Sequence, residues 1–381
     1  MDSRVLCVIC GNADLSYRVN EKLVYLAGTF PPPVHGMAAV NAAVRDRLAG
    51  AGASVVVIDT AAATLDRGLV SRLRRLPRIA RGLARFAFAR HVRGSALYFG
   101  VSGGFGQVFE IGFVLIARVR RSRIFLHHHS FAYLSTRRRL TGILVRAAGR
   151  YATHIALSDG MAERLRSLYG VASSVTVSNA VFFLGSSDSG ISEPRGDLCT
   201  LGFLGNIAAE KGIFLFLDLV MALQQSGLQL TGRIAGPFQD AATESRLRQR
   251  LLELKEVEYV GAKYGVEKAD FFDSIDVLVF PTLYVNEAEP LVILEAMQRA
   301  VPVIAYGRGC IPERVTPNCG CVIPSETSFV PEALEQIEIW MRFPPMFHKA
   351  SAGAALHFAA LRQASAQRWA LLQAQIIGSS P

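Results

Sequence analysis

The sequence predicts an α/β protein of two doubly wound, parallel-sheet domains, and three observations carry that prediction. Apolar runs of strand length alternate with helix-length amphipathic segments along nearly the whole chain, the pattern of a parallel sheet covered by helices on both faces. The 381 residues exceed an ordinary single core and suit two domains of roughly 150 to 200 residues each. One long polar stretch, Gly185–Gly196 (GSSDSGISEPRG), divides the alternation and has the composition of a flexible linker. With 51% hydrophobic and 19% charged residues, the composition excludes the disordered class.

Taken in order, the first half offers LVYLAG, SVVVIDT, ALYFG, RIFLHHH, HIALS and SVTVSNA as strands, and the second TLGFLG, LQLTGRIAG, VEYVG, DVLVFP, VPVIAY and GCVIP. Between the first two strands, a proline-glycine loop leads into an amphipathic helix from about Met37. After about residue 345 the pattern is wholly helical, with no further strand to feed. The boundaries that follow are a first domain over 1–185, a second over 197–345, and a helical segment over 346–381 that packs back toward the first. Doubly wound domains collect ligands at the carboxyl ends of their strands, so the active site is expected in a cleft between the two.

The net charge of +10 is uneven: residues 1–185 carry 25 Lys and Arg against 9 Asp and Glu, a net +16, and residues 186–381 carry 16 against 22, a net −6. The longest apolar run, Ile111–Ala117, is far short of the roughly 20 residues that span a bilayer. The N-terminal stretch lacks the charged start and small-residue cleavage pattern of a secretory signal, so the expected location is inside the cell. Six scattered cysteines fit a reducing compartment. Cys7 and Cys10 form a C-x-x-C with no second pair or nearby histidine, and read as two small apolar residues rather than a zinc site.

Chemistry concentrates in two stretches of the second half. In LGFLGNIAAEKGI a strand ends at Gly205 and Glu210-Lys211-Gly212 opens a helix, placing a cation where it can balance a phosphate. In NEAEPLVILEAM the helix is expected to start with Pro290 at its first position, where the missing N–H is no loss. The free amides near Leu291 and Val292 then make an anion site. Glu287 precedes that terminus and Glu295 lies about a turn and a half along the helix. Such a carboxylate pair suits sugar hydroxyls and positive charge at an anomeric carbon.

These segments together resemble the retaining, two-Rossmann-domain (GT-B) glycosyltransferases of family 4, the glycosyl transferases group 1. The family pairs a G-R-L-x-x-E-K-G loop with a glutamate, seven residues and a glutamate just before A-M-A-x-G-x-P-V-I-A. This chain has Gly205-Asn206-Ile207 with Glu210-Lys211-Gly212, then Glu287 to Glu295 with Ala296-Met297, Val301-Pro302-Val303-Ile304-Ala305, and Gly309-Cys310-Ile311-Pro312-Glu313. The resemblance implies that Lys211 binds the diphosphate of a nucleotide sugar, with Gly205 and Asn206 in the same loop. It further implies that Glu287 faces the transferred sugar, that Glu295 holds the ribose, and that backbone at Val260 and Ala262 meets the base. No metal or other cofactor is required. Two departures stand out: Asn206 replaces the family's arginine, and Glu289-Pro290 replaces its Phe-Gly, which removes one backbone donor and sets an acid beside the donor sugar.

The opening unit of the first half also resembles the family's, and Gly36 there is expected to let backbone approach the donor phosphate. RIFLHHHSFAYL ends a strand in three histidines. Neighbours on a strand point to opposite faces and no local carboxylate or cysteine joins them, which argues against a metal site. The family places a histidine near the transferred sugar, a role assigned to His129, with His127 in reserve on the same face. GVSGGFGQ misses the G-x-G-x-x-G spacing and reads as an acceptor-side loop. Leu69–Gly94 interleaves arginines with Leu, Ile and Phe, interrupted by Pro77; such a segment lies well on an anionic bilayer. No nucleic-acid motif accompanies it.

The combined expectation is a hexosyl-type glycosyltransferase at the inner membrane face. It takes a nucleoside-diphosphate sugar as donor and a saccharide or lipid-linked acceptor, in envelope or exopolysaccharide assembly. The alternatives are a nucleotide-sugar epimerase on the same plan and a non-catalytic membrane-surface scaffold.

Overall fold

Strands buried on both faces need apolar side chains at every position rather than at alternate ones. That is why ALYFGV, VLVF and VIAY form the strands Ala96–Val101, Val277–Phe280 and Val303–Tyr306, each buried throughout. The computed structural model describes residues 22–32, 36–61, 76–89, 92–183 and 193–378. It divides into two units, Met1–Phe182 with Ala364–Pro381, and Phe183–Gln363. The Cys7/Cys10 pair and most of the Gly185–Gly196 stretch lie outside the described residues.

The first unit holds β1 (Lys22–Gly28), β2 (Ala53–Asp59), β3 (Ala96–Val101), β4 (Arg123–His128), β5 (Thr153–Ala156) and β6 (Ser174–Thr176). They form one parallel sheet in the order β2-β1-β3-β4-β5-β6. The second unit holds β7 (Thr200–Leu204), β8 (Thr231–Ala235), β9 (Val257–Tyr259), β10 (Val277–Phe280), β11 (Val303–Tyr306) and β12 (Gly320–Ile323). These are also parallel, in the order β12-β11-β10-β7-β8-β9. The winding reverses between β1 and β3 in the first sheet and between β7 and β10 in the second. At such a reversal the loops leaving the two strands diverge and open a crevice at the strands' carboxyl ends.

Two local expectations are corrected. SVTVSNA is a strand only over Ser174–Thr176; the Ser178 hydroxyl accepts from the Ala180 amide at 3.1 Å, and Asn179–Phe182 turns as a 3₁₀ helix. Pro77 is the second residue of the helix Leu76–Phe88, where a missing N–H has no intrahelical partner to lose; residues 69–75 of its segment lie outside the described residues. Pro290 caps the helix Leu291–Gln298 from an extended conformation (ψ 122°) instead of occupying its first position.

The last helix, Pro344–Ile377, supplies its residues through Gln363 to the second unit and the remainder to the first. In the second unit, Ser351 Oγ accepts from the Arg195 amide at 2.7 Å and donates to the Ala300 carbonyl at 2.6 Å. In the first, Trp369 packs edge-on against Phe182, with ring centroids 5.0 Å apart, and Gln373 donates to the Arg47 carbonyl at 2.9 Å.

The first core also encloses a polar network. His128 Nε2 meets His154 Nδ1 at 2.9 Å, and the Tyr133 hydroxyl reaches His128 Nδ1 at 2.8 Å. Burial holds both imidazoles below their ordinary pKa, His154 at about 4, so they fold neutral. In the unfolded chain each titrates near 6.5. As pH falls below that value the unfolded state takes up protons first, and stability declines until the folded pKa is reached. His154 alone is expected to remove about 2 kcal/mol between pH 7 and pH 5. Melting temperatures across that range measure the loss, and a His154→Asn variant should show a shallower dependence.

Candidate active site

Where β7 ends, the chain runs through a 3₁₀ turn, Ala209–Lys211, and then through Gly212 at φ +82° into the helix Ile213–Gln225. Glycine is required at 212 for two reasons. Its φ is left-handed, and a Cβ there would stand 2.0 Å from the Pro281 carbonyl oxygen, just past β10. The loops leaving β7 and β10 therefore touch backbone to backbone, and the Leu283 amide donates to the Glu210 carbonyl at 2.9 Å.

This contact brings together two of the residues singled out in the sequence. Lys211 Nζ stands 2.5 Å from Glu287 Oε2, both side chains mostly buried, at 18% and 11% exposure. The Thr282 hydroxyl donates to the same carboxylate oxygen at 3.2 Å. The Lys211 ammonium also lies 4.5 Å from the Tyr284 ring centroid, within cation–π range. Asn286 in turn donates to the Tyr284 hydroxyl at 2.9 Å. Thr282 and Tyr284 were not foreseen; their only signal was a hydroxyl and an aromatic ring in the short loop between Pro281 and Glu287.

No side chain caps the helix Leu291–Gln298. The amides of Leu291 and Val292 are thus among those that helix geometry leaves without an intrahelical carbonyl. Farther along the helix, Glu295 pairs with Lys268 at 2.5 Å. Burial raises the Glu295 carboxyl's pKa against the opposing pull of Lys268. Gly205, Asn206, Val260 and Ala262 sit at the carboxyl ends of β7 and β9 on either side of the β8 loop. There Gly236 donates to the Gly261 carbonyl at 2.9 Å, and a Cβ on Gly236 would lie 1.8 Å from the Gly205 oxygen.

Glu289 corrects the sequence reading. It adds no free acid beside a donor sugar, because its side chain is 1% exposed and ion-paired with Arg314, itself 7% exposed. Nothing in the sequence pattern linked two residues 25 positions apart.

In the first unit, Gly36 is the exposed first residue of the helix Gly36–Gly50. Asn41 of that helix is fully buried and donates to the Thr29 carbonyl at 3.0 Å. It packs against Gly28 and Gly100, which docks the helix at the ends of β1 and β3, the reversal point of the first sheet. His129 follows β4 and is half-buried; its ring lies 4.0 Å, centroid to centroid, from that of His127. His127, the reserve candidate, is fully buried, meets the Tyr98 hydroxyl through Nδ1 at 2.5 Å, and is held neutral by burial and by the neighbouring histidines. His128 faces the other way, toward His154. Among the described residues no three His, Cys, Asp or Glu side chains gather as a metal site.

Residues 199–338, which contain every second-unit position named above except the ends of the unit, match the family model described as Glycosyl transferases group 1. The matched residues are 140 of the chain's 381 and lie wholly within the second unit. The fold over both units is that of GT-B, two parallel-sheet α/β units. The chain is similar across 94% of its length to all of sucrose-phosphate synthase from Thermosynechococcus elongatus, with a TM-score of 0.72 at 16% identity. It is similar across 92% of its length to 99% of Anabaena Alr3699/HepE in complex with UDP, with a TM-score of 0.65 at 16% identity. A third similarity spans 91% of this chain and 98% of the lipopolysaccharide outer core galactosyltransferase WaaB, with a TM-score of 0.65 at 14% identity. No curated protein matches the sequence. Lys211 and Glu287 both fall inside the matched residues, whereas Gly36 and His129 fall outside them.

Proposed function

We propose that the chain transfers a sugar from a nucleoside diphosphate to a saccharide or lipid-linked acceptor, with retention at the anomeric carbon, at an anionic membrane surface during envelope or exopolysaccharide assembly. The observation that carries the donor half is the contact of Lys211 with Glu287 at the reversal point of the second sheet. An ammonium has three donors and Lys211 gives one to Glu287, so others can turn to a diphosphate oxygen. Together with the Leu291 and Val292 amides it stabilises the leaving group's charge. Glu287 then faces the positive charge that grows at the anomeric carbon. Glu295 holds the ribose, Gly205 and Asn206 belong with Lys211 to the diphosphate loop, backbone at Val260 and Ala262 meets the base, and in the first unit Gly36 is the candidate for phosphate and His129 for the transferred sugar.

The membrane half rests on charge. Between Arg67 and Ser158 there are 18 arginines and a single acid, Glu110. Glu110 is buried and accepts from the Ser102 amide and hydroxyl. Exposed Phe88, Val119 and Ile143 stand on helices that also expose Arg85, Arg118 and Arg146. Apolar anchors among cations suit an anionic bilayer. No helix among the described residues is long and apolar enough to cross a membrane.

Two measurements test the two halves. The full chain should sediment with vesicles containing phosphatidylglycerol but not with pure phosphatidylcholine, and lose that binding in high salt. UDP or GDP should raise its melting temperature by several degrees. Stabilisation by neither nucleotide would sink the donor reading, and equal binding to both vesicle types would sink the membrane reading.

A further inference from the structure

The geometry points to Glu289 and Arg314 as a positioning pair that sets the place of Glu287. This rests on the reading that Glu287 faces the transferred sugar.

The segment from Glu287 to Glu289 is held against the loop after β11 at three points. The Ala288 carbonyl accepts from the Cys310 amide at 2.8 Å. Gly309, at φ +58°, comes so close that a Cβ on it would lie 2.4 Å from the Glu287 carbonyl oxygen. The third point is the ion pair, formed by Arg314 Nε and Glu289 Oε1 and almost wholly removed from solvent. Arg314 closes the short helix Ile311–Arg314, and the Glu313 amide donates to the Cys310 carbonyl at 3.0 Å, so the guanidinium springs from a segment that is itself fixed.

From the other side, Lys211 and Thr282 hold the Glu287 carboxylate. Glu287 is thus fixed at its side chain by the β7 and β10 loops and at its backbone by the β11 loop. A charge-assisted hydrogen bond in a dry site has a direction, whereas apolar side chains of the same volume pack without one. Only Ala288 separates Glu289 from Glu287, so play at Glu289 passes into the carboxylate. A misplacement of about 1 Å in a reacting centre costs about a hundredfold in rate.

A single substitution leaves one charge buried and unpaired and risks the fold. The test therefore uses the double variant Glu289→Leu/Arg314→Met, in which both charges are gone and the volume is kept. Hydrogen–deuterium exchange on the full chain reads positioning without any ligand. The amides of Leu283, Glu287 and Cys310 are expected to exchange about tenfold faster in the double variant, while those of β7 and β10 keep their protection. Turnover of a panel of UDP- and GDP-sugars reads the consequence. The rate constant is expected to fall about ten- to a hundredfold with the donor KM within about threefold of wild type; a general loosening of the fold would move both.

Unchanged loop exchange in a folded double variant overturns the inference whatever the enzyme does. Loosened loops with an undiminished turnover number overturn it as well. If the wild type turns over no sugar nucleotide, the functional reading fails on its own, and exchange still decides whether the pair positions the loop.

Discussion

Glu287→Gln is expected to slow sugar transfer about 10²- to 10³-fold, the usual effect of deleting one preorganised electrostatic contact to a transition state. The amide keeps the shape of the side chain and can still accept from Thr282, so the loop should stay in place. What is lost is the negative charge 2.5 Å from Lys211 Nζ. Two consequences run in opposite directions. The positive charge at the anomeric carbon loses its counter-charge, and turnover falls. Lys211, freed of its carboxylate, offers a fuller charge to a diphosphate, so UDP or GDP affinity is expected to hold or rise. Lys211→Met should do the reverse to affinity, weakening nucleotide binding by the worth of a charge-assisted hydrogen bond, about 1.5–3 kcal/mol. Calorimetric nucleotide binding and steady-state transfer on the two variants separate these effects. A Glu287→Gln enzyme that transfers at the wild-type rate would remove Glu287 from the mechanism.

Much of this arrangement was legible in the sequence because it is written along single elements. Continuous apolar runs such as VLVF state that both faces of a strand are covered. The parallel pairing then requires loops at one edge of the sheet, where Lys211 and Glu287 fall. What was not legible depends on contacts between elements. Glu289 reads as a solvent-facing acid until Arg314, from another loop, is placed against it. His127 and His129 follow the same period along the chain, yet one is sealed beneath the Tyr98 hydroxyl and the other is half-buried; depth in the sheet, not sequence period, distinguishes them. The glycines are the sharpest case. Gly212 looks like any helix-opening glycine beside Lys211, and its contact with Pro281 is a property of two loops packed together.

That contact makes Gly212→Ala the substitution with the widest expected effect on the fold. At φ +82° an alanine carries left-handed strain of about 1–2 kcal/mol. Its Cβ would also sit 2.0 Å from the Pro281 oxygen, whereas real Cβ contacts stay at 3.0 Å or beyond. Both atoms belong to backbone, so no rotamer change relieves the overlap, and the loops after β7 and β10 must part by about an ångström. Parting them stretches the bond from Leu283 to Glu210 and draws Lys211 away from Glu287. The expected outcome is a loss of about 2–4 kcal/mol, a melting temperature lower by about 5–10 °C, and a higher donor KM together with slower turnover. Gly227→Ala is the control, because Gly227 has nearly the same φ, +81°, in the same unit but nothing within 4 Å of a Cβ. It should show the strain alone, about 1–2 kcal/mol, with transfer kinetics unchanged. Equal melting temperatures and equal kinetics in the two variants would mean that the β7 and β10 loops do not meet at Gly212, and the pairing of Lys211 with Glu287 would lose its structural cause.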